Sequence, residues 1–224
     1  MPAIHHSSLI THHLLSMPSV EQELSLRAEG YQAIAGVDEA GRGCWAGPVV
    51  AAAAILDQAV LERPELLDGV NDSKQLSRAQ RERALATIRQ HATIGVGTVP
   101  AFLIDCFGIV EATRLAMELA VLQLPIRPDA LLIDALRLPR CALQQRALVY
   151  GDSLSLSIAA ASIVAKTARD AMMRAWDRAY PEWRFGEHKG YGTAAHARAL
   201  RSYGTTPLHR RSFRPLWPVE KGNQ

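Results

Sequence analysis

The stretch IAGVDEAGRGCWAGPVVAAAAIL, residues 34–56, decides the fold: it sets two adjacent acids, Asp38 and Glu39, between an apolar run and a cluster of glycines. Gly41-Arg42-Gly43-Cys44-Trp45-Ala46 matches the spacing of a dinucleotide-binding turn, whose glycines let backbone amides close on a pyrophosphate where a helix starts. No helix pattern follows. Gly47-Pro48 leads instead into Val49-Val50-Ala51 and on to Leu56, an apolar run of β type. Two carboxylates there would also repel phosphate oxygens unless a cation stood between. The stretch therefore predicts two strands joined by a short glycine loop, with metal-mediated phosphate chemistry beside it.

Outward from this loop, apolar runs predict strands over 32–38 and 47–56, then at 93–99, 130–133 and 148–150. Helical spacing covers 77–91, with Ser77 as its cap, 109–124, ending at Pro125, and 157–180, ending at Pro181. Strands interleaved with helices imply an α/β fold with a central mixed sheet. With 224 residues, 48% hydrophobic and 21% charged, the chain can bury one substantial core. Its longest apolar stretch, 44–56, is too short to span a membrane. Three cysteines with no C-x-x-C spacing argue against a disulfide scaffold and suit a reduced cytoplasm. His5-His6 and His12-His13 stand where an export leader would need an apolar core, and read as a solvated tail. From Arg184 to Lys221 eight Lys and Arg face only Glu187 and Glu220, which points to a polyanionic partner.

Two further acids sit like the first pair. Asp134 ends the strand at 130–133, and Asp152 lies in the turn Gly151-Asp152-Ser153 at a helix entrance. Any one of the four would read as a turn or cap residue; four acids leaving apolar runs need a common reason, because burying a carboxylate is costly unless it is paired or bound to metal. Hard oxygen donors suit Mg²⁺ or Mn²⁺, and two such ions about 4 Å apart can clamp the attacking and leaving oxygens of a phosphodiester. Strand alternation makes Asp38 the central ligand, with Glu39 contributing from the loop. Asp170 lies about 27 Å further along the helix than Asp152 and is expected to form a surface pair with Lys166 or Arg174.

The motifs GVDEAGRG (36–43), AGPVVAAA (46–53), NDSKQLS (71–77), LLID (131–134), GD followed by SIAAASIVAKTARD (157–170), HKGYGTAAH (188–196) and HRRSF (209–213) together resemble bacterial ribonuclease HII. The resemblance runs from about residue 30 to 215. It implies an RNase H-like mixed β-sheet flanked by helices, with a helical C-terminal appendage, and Asp38, Glu39, Asp134 and Asp152 as metal-binding catalytic carboxylates using Mn²⁺ or Mg²⁺. It implies cleavage of RNA in RNA–DNA hybrids, and 5′ to a single ribonucleotide in duplex DNA, leaving 5′-phosphate and 3′-hydroxyl ends. Gly41, Arg42 and Gly43 would contact the ribonucleotide's 2′-hydroxyl and a neighbouring phosphate. Tyr191 would stack on the next sugar. Ser73, Lys74 and Arg210 are the expected phosphate contacts.

On this reading residues 1–28 form a flexible extension, 29–183 the catalytic domain and 184–224 a basic substrate-binding segment, in a cytoplasmic monomer with no membrane association. The sequence departs from the family's usual pattern at Ala135-Leu136, where Gly-Asn is common, at Leu154 in place of a lysine, and at Cys44-Trp45 in place of Pro-Leu. A resolvase or exonuclease of the same fold would share the acids without the Gly-Arg-Gly and Tyr191 motifs. A non-catalytic hybrid-binding protein would have lost acids.

Overall fold

The alternation of apolar runs with longer helical ones carries directly into the architecture. The computed structural model describes residues 17–71 and 73–214, so the tail to residue 16 and the segment after 214 lie outside the described residues. In chain order the elements are α1 (Glu21–Ala28), β1 (Ile34–Ala40), β2 (Val49–Leu56), α2 (Gln58–Glu62), α3 (Arg78–His91), β3 (Ala92–Val99), α4 (Ala101–Leu122), β4 (Ala130–Asp134), β5 (Gln144–Leu148), α5 (Gly151–Leu154), α6 (Leu156–Asp177), α7 (Phe185–His188) and α8 (Ala194–Tyr203). One five-stranded sheet has the order β3-β2-β1-β4-β5. The first three strands form an antiparallel meander, and β4 and β5 run parallel to β1. This is the mixed sheet expected, flanked by helices.

Every residue of β2 is buried, because both sheet faces are covered. Ala52, Ala54 and Leu56 meet residues of α6 and α3 on one face, while Ala51, Ala53 and Ile55 meet α4 on the other, as the two-residue period of a strand requires. Alanines in β2 let both helices approach closely. At Gly36 the approach is closer still: a Cβ there would lie 2.2 Å from the Ser157 backbone, so α6 rests directly on β1.

Several expected boundaries move, each for a physical reason. The strand expected at 148–150 is β5, at the sheet edge, whose half-exposed Gln144, Gln145 and Arg146 carry no apolar pattern. The helix expected at 109–124 is the second half of α4; Gly108, with φ 77, breaks the helical path, and Phe102 and Phe107 in the first half are exposed. Residues 17–28 are not a loose extension. Val20 and Leu26 are buried, and Glu23, 1% exposed, accepts hydrogen bonds from Ser155 Oγ, Ser157 N and Ser157 Oγ at 2.6, 2.9 and 2.6 Å. The basic segment after residue 184 is likewise continuous with the core: Phe185 is buried against Ala46 and Met173.

Beyond Asp134 the chain turns at Ala135, whose φ of 54° lies in the left-handed region, where a Cβ costs about 1–2 kcal/mol. This is the position where the resembling family commonly has glycine. Ala135→Gly should therefore stabilise the protein by about 0.5–1 kcal/mol, the relief of strain exceeding the entropy that glycine adds to the unfolded chain. Denaturant unfolding measures it, and a loss of stability would show that the turn is unstrained.

Candidate active site

The ladder pairing Val37 with Ile133 leaves Asp38 and Asp134 as the next residues on two parallel neighbours. Both follow the face-alternation of Gly36 and Leu132, which lie against α6. The Gly151 N–H, opening α5, donates to Asp134 Oδ1 at 2.8 Å, which sets Asp152 one residue later beside the same strand end. Glu39 belongs to β1 rather than to the loop, since the β1–β2 ladder continues through Ala40. Its charge nonetheless acts on Asp38, and that of Asp134 acts on both. The structure thus gathers all four acids near the carboxyl ends of β1 and β4, where open α/β sheets present ligand sites.

Burial pushes the Asp38 carboxyl well above the ordinary carboxylate range, and the charges of Glu39 and Asp134 push the same way. Hydrogen bonds that Asp38 accepts from the Ser162 hydroxyl and from the Glu39 N–H, the latter at 2.6 Å, oppose the rise. Burial also raises Glu39, against the pull of Arg42, whose Nη1 lies 3.3 Å from Oε1. Lys74 Nζ stands 3.7 Å from Asp152 Oδ2. Glu39 Oε2 is buried and has no hydrogen-bond partner among the described residues. As the side chains stand, no group of three or more Asp, Glu, His or Cys among the described residues is gathered tightly enough to hold a metal ion. Three of the acids are instead drawn to Arg42, the Gly151 N–H and Lys74. A hard-oxygen set with one orphaned buried oxygen, in which burial and then neighbouring negative charge raise Asp38 and Glu39, fits a divalent cation, which would offset both effects.

The Gly-Arg-Gly loop is fixed by two buried arginines. Arg210, 0% exposed, donates to the carbonyls of Gly41, Arg42 and Gly47 at 2.7, 2.7 and 3.0 Å. Arg169, also 0% exposed, donates to those of Pro48, Lys189 and Ala46 at 2.9, 2.9 and 3.0 Å. Gly41 has φ 94, and a Cβ there would lie 2.0 Å from Arg169 Nε, so only glycine fits. At Gly43 a Cβ would meet nothing within 4 Å.

Two expected phosphate contacts are therefore placed elsewhere. Arg210 spends its donors on carbonyls inside the protein. Ser73 is 3% exposed and bonded to Ser162 Oγ at 2.9 Å, so it supports the serine that serves Asp38. Lys74 and Arg42 do reach solvent, their side chains 78% and 38% exposed. Asp170 pairs with Lys166 at 2.7 Å as expected, but it is buried rather than on the surface. Arg169 escaped sequence reasoning; its one signal is a charge on the apolar stripe of α6, four residues before Met173 and four after Ala165.

Tyr191 is 41% exposed, and its side chain lies beside the thiol of Cys44, the residue after Gly43. Lys166 Nζ and Arg169 Cζ lie 5.5 and 5.8 Å from its ring centre. Trp45 fills the space a Cβ at Gly192 would need and rests against His196, which accounts for it as a wall of this loop.

A family model described as Ribonuclease HII matches residues 35–217. The ribonuclease HII of Chloroflexus aggregans is 60% identical over 200 residues, spanning 89% of this chain and 94% of that protein. The solved ribonuclease H2 of Pyrococcus horikoshii is similar in structure with a TM-score of 0.68 at 26% identity, over 83% of this chain and 95% of that one. A Bst ribonuclease HIII solved with Mn²⁺ shares the fold, with a TM-score of 0.62 at 23% identity over 96% of this chain and 73% of its own. On the acids, the loop and these matches, the chain belongs to the ribonuclease HII family and is a ribonuclease H, a hydrolase of the RNA strand in RNA–DNA hybrids.

Proposed function

We propose that this ribonuclease H also incises duplex DNA 5′ to a single embedded ribonucleotide, leaving 5′-phosphate and 3′-hydroxyl ends, as a monomer in the cytoplasm. The observation that carries this reading is a continuous connection across the cleft. The Trp45 N–H, two residues after Gly43, donates to the Gly190 carbonyl beside Tyr191 at 2.8 Å, the loop's Arg42 pairs with Glu39, and Glu39 adjoins Asp38. Sugar recognition and chemistry are thereby held in one frame.

Asp38, Glu39, Asp134 and Asp152 would hold two divalent cations, Mn²⁺ or Mg²⁺, which supply an activated water nucleophile and stabilise charge on the leaving oxygen. The protein's own groups do the selecting. A 2′-hydroxyl is what distinguishes RNA from DNA at one position, and the open face of Gly43 lets it reach backbone groups. The Tyr191 ring would lie on the following deoxyribose, an apolar contact that a second 2′-hydroxyl would spoil. Lys74 and the exposed cations of the C-terminal segment would hold phosphates, which positions the duplex without reading it.

Substitutions at three positions test this. On duplex DNA with one ribonucleotide, Asp38→Asn should lose activity by on the order of a thousandfold, since several kcal/mol of transition-state stabilisation depend on the ions. The same variant should melt higher than the parent in the absence of divalent cations at neutral pH. The sign follows from the raised Asp38 carboxyl: its contribution to stability is complete below the unfolded-state value of 3.8 and is lost as pH rises through the folded-state value, because folding opposes its ionisation; asparagine, which does not ionise, removes that cost at neutral pH. Retained activity, or a lower melting temperature, would defeat the assignment.

Gly43→Ala should fold normally, because its Cβ meets open space, yet lose single-ribonucleotide cleavage. Normal cleavage would free the loop from the 2′-hydroxyl. Tyr191→Ala should cost about 1–3 kcal/mol on a lone ribonucleotide, the scale of aromatic stacking on nucleic acid, with little change in metal dependence. If both Tyr191→Ala and Tyr191→Phe cleave that substrate like the parent, Tyr191 only fills its turn.

A further inference from the structure

Three histidines of the C-terminal motifs are buried together and take no part in the chemistry described so far. His196 is 0%, His209 2% and His188 8% exposed. His188 stacks on His196 with ring centres 4.3 Å apart, and Phe185 meets His196 edge-on at 5.7 Å. Their hydrogen bonds fix which ring nitrogens carry protons. The Thr206 backbone N–H, which can only donate, lies 2.8 Å from His209 Nδ1, so that nitrogen accepts. The proton of a neutral His209 is then on Nε2, which stands 3.0 Å from His196 Nε2. His196 must accept there and carry its own proton on Nδ1, 3.0 Å from the Tyr191 carbonyl. The result is a one-way chain from Thr206 N–H through His209 and His196 to the Tyr191 peptide. Burial holds both imidazoles down to about 4, far below their usual 6.5; a charge on His188 would push both down further and one on His196 would push down His209, in keeping with two neutral rings.

The peptide at the end of this chain is the one that sets Tyr191. Its neighbours are already gripped: Arg169 Nη1 holds the Lys189 carbonyl at 2.9 Å, and the Trp45 N–H holds that of Gly190 at 2.8 Å. Tyr191 is flanked by Gly190 and Gly192, which allow the backbone wide freedom, and its carbonyl is fixed by His196 together with the Thr193 N–H at 2.8 Å. An imidazole suits the task because it accepts at one nitrogen and donates at the other from a rigid ring, and serial hydrogen bonds in a dry interior reinforce one another.

We propose that His209 and His196 are positioning residues for ribonucleotide recognition, acting as a directional hydrogen-bond relay of neutral rings that fixes the Tyr191 peptide and so aims its side chain. The proposal rests on the reading of Tyr191 given above, and its tests separate the two. In the whole protein at pH 7, imidazole nitrogen NMR should show the proton of His209 on Nε2 and that of His196 on Nδ1. His209→Phe keeps the ring but removes the donor. It should shift the amide nitrogen signal of Gly192, which shares a peptide with the Tyr191 carbonyl, and slow single-ribonucleotide cleavage about tenfold, the scale of one buried hydrogen bond. That slowing should vanish in a Tyr191→Ala background. His209→Gln, whose amide can donate from the Nε2 position, should restore both signals.

Opposite tautomers, a charged ring at pH 7, an unmoved Gly192 amide in folded His209→Phe, or an equal loss in the Tyr191→Ala background would each overturn the relay. If Tyr191→Ala alone changes nothing, the role given to its side chain fails, and the relay is judged by the tautomers and the Gly192 amide. If His209→Phe does not fold, the parent's tautomers and His209→Gln decide.

Discussion

Carbonyl groups outside regular strands and helices must find donors when they are buried, and around the Gly-Arg-Gly loop two guanidinium groups supply them. Arg169 and Arg210 each serve three backbone carbonyls from fully buried positions. An arginine offers five N–H groups in a rigid fork, so one side chain can hold several loops at fixed relative positions. Remove either and a charge-sized cavity and three unsatisfied acceptors remain, a loss comparable to breaking a buried ion pair. Arg169 and Arg210 are a large part of what sets the mutual geometry of the glycine loop, the Tyr191 loop and the segment 206–210.

The acids pose the opposite problem. Asp38, Glu39 and Asp134 repel one another near two strand ends, and the surrounding protein offsets only part of that with Arg42, Lys74, Ser162 and single N–H groups. Glu39 Oε2 is left without any partner among the described residues. Stability is given up at the place where charge is needed, the usual tension between a well-satisfied interior and an active one. The rest of the sheet compensates with dense alanine packing on both faces of β2.

Charge and chain direction were legible in the sequence, and burial was not. Asp38, Asp134 and Asp152 stood out because an acid ending an apolar run has few structural excuses, and β1 and β2 were visible as apolar runs around a glycine loop. Ser73 and Arg210 were misjudged for the same reason: a hydroxyl and a guanidinium look alike in sequence whether they face a phosphate or a carbonyl. Edge strand β5 is polar because it is half exposed, and Arg169 is hidden inside a helical run whose other residues are ordinary core. The histidines of the two C-terminal motifs were visible as letters, but their pairing links residues 196 and 209 through space alone.

Arg210 reaches back to Gly41 across 169 positions of the chain, and this separation orders events in time. A contact that spans so much of the chain must wait for the synthesis of its later partner, and closing it costs loop entropy. A chain still emerging from the ribosome can carry β1, β4 and α5 with all four acids before Arg210, the later of the two arginines that fix the Gly-Arg-Gly loop, has been made. Nascent protein therefore carries its four acids well before the last anchor of the glycine loop, and the loop proposed to read the sugar is complete only once residue 210 has been synthesised and docked.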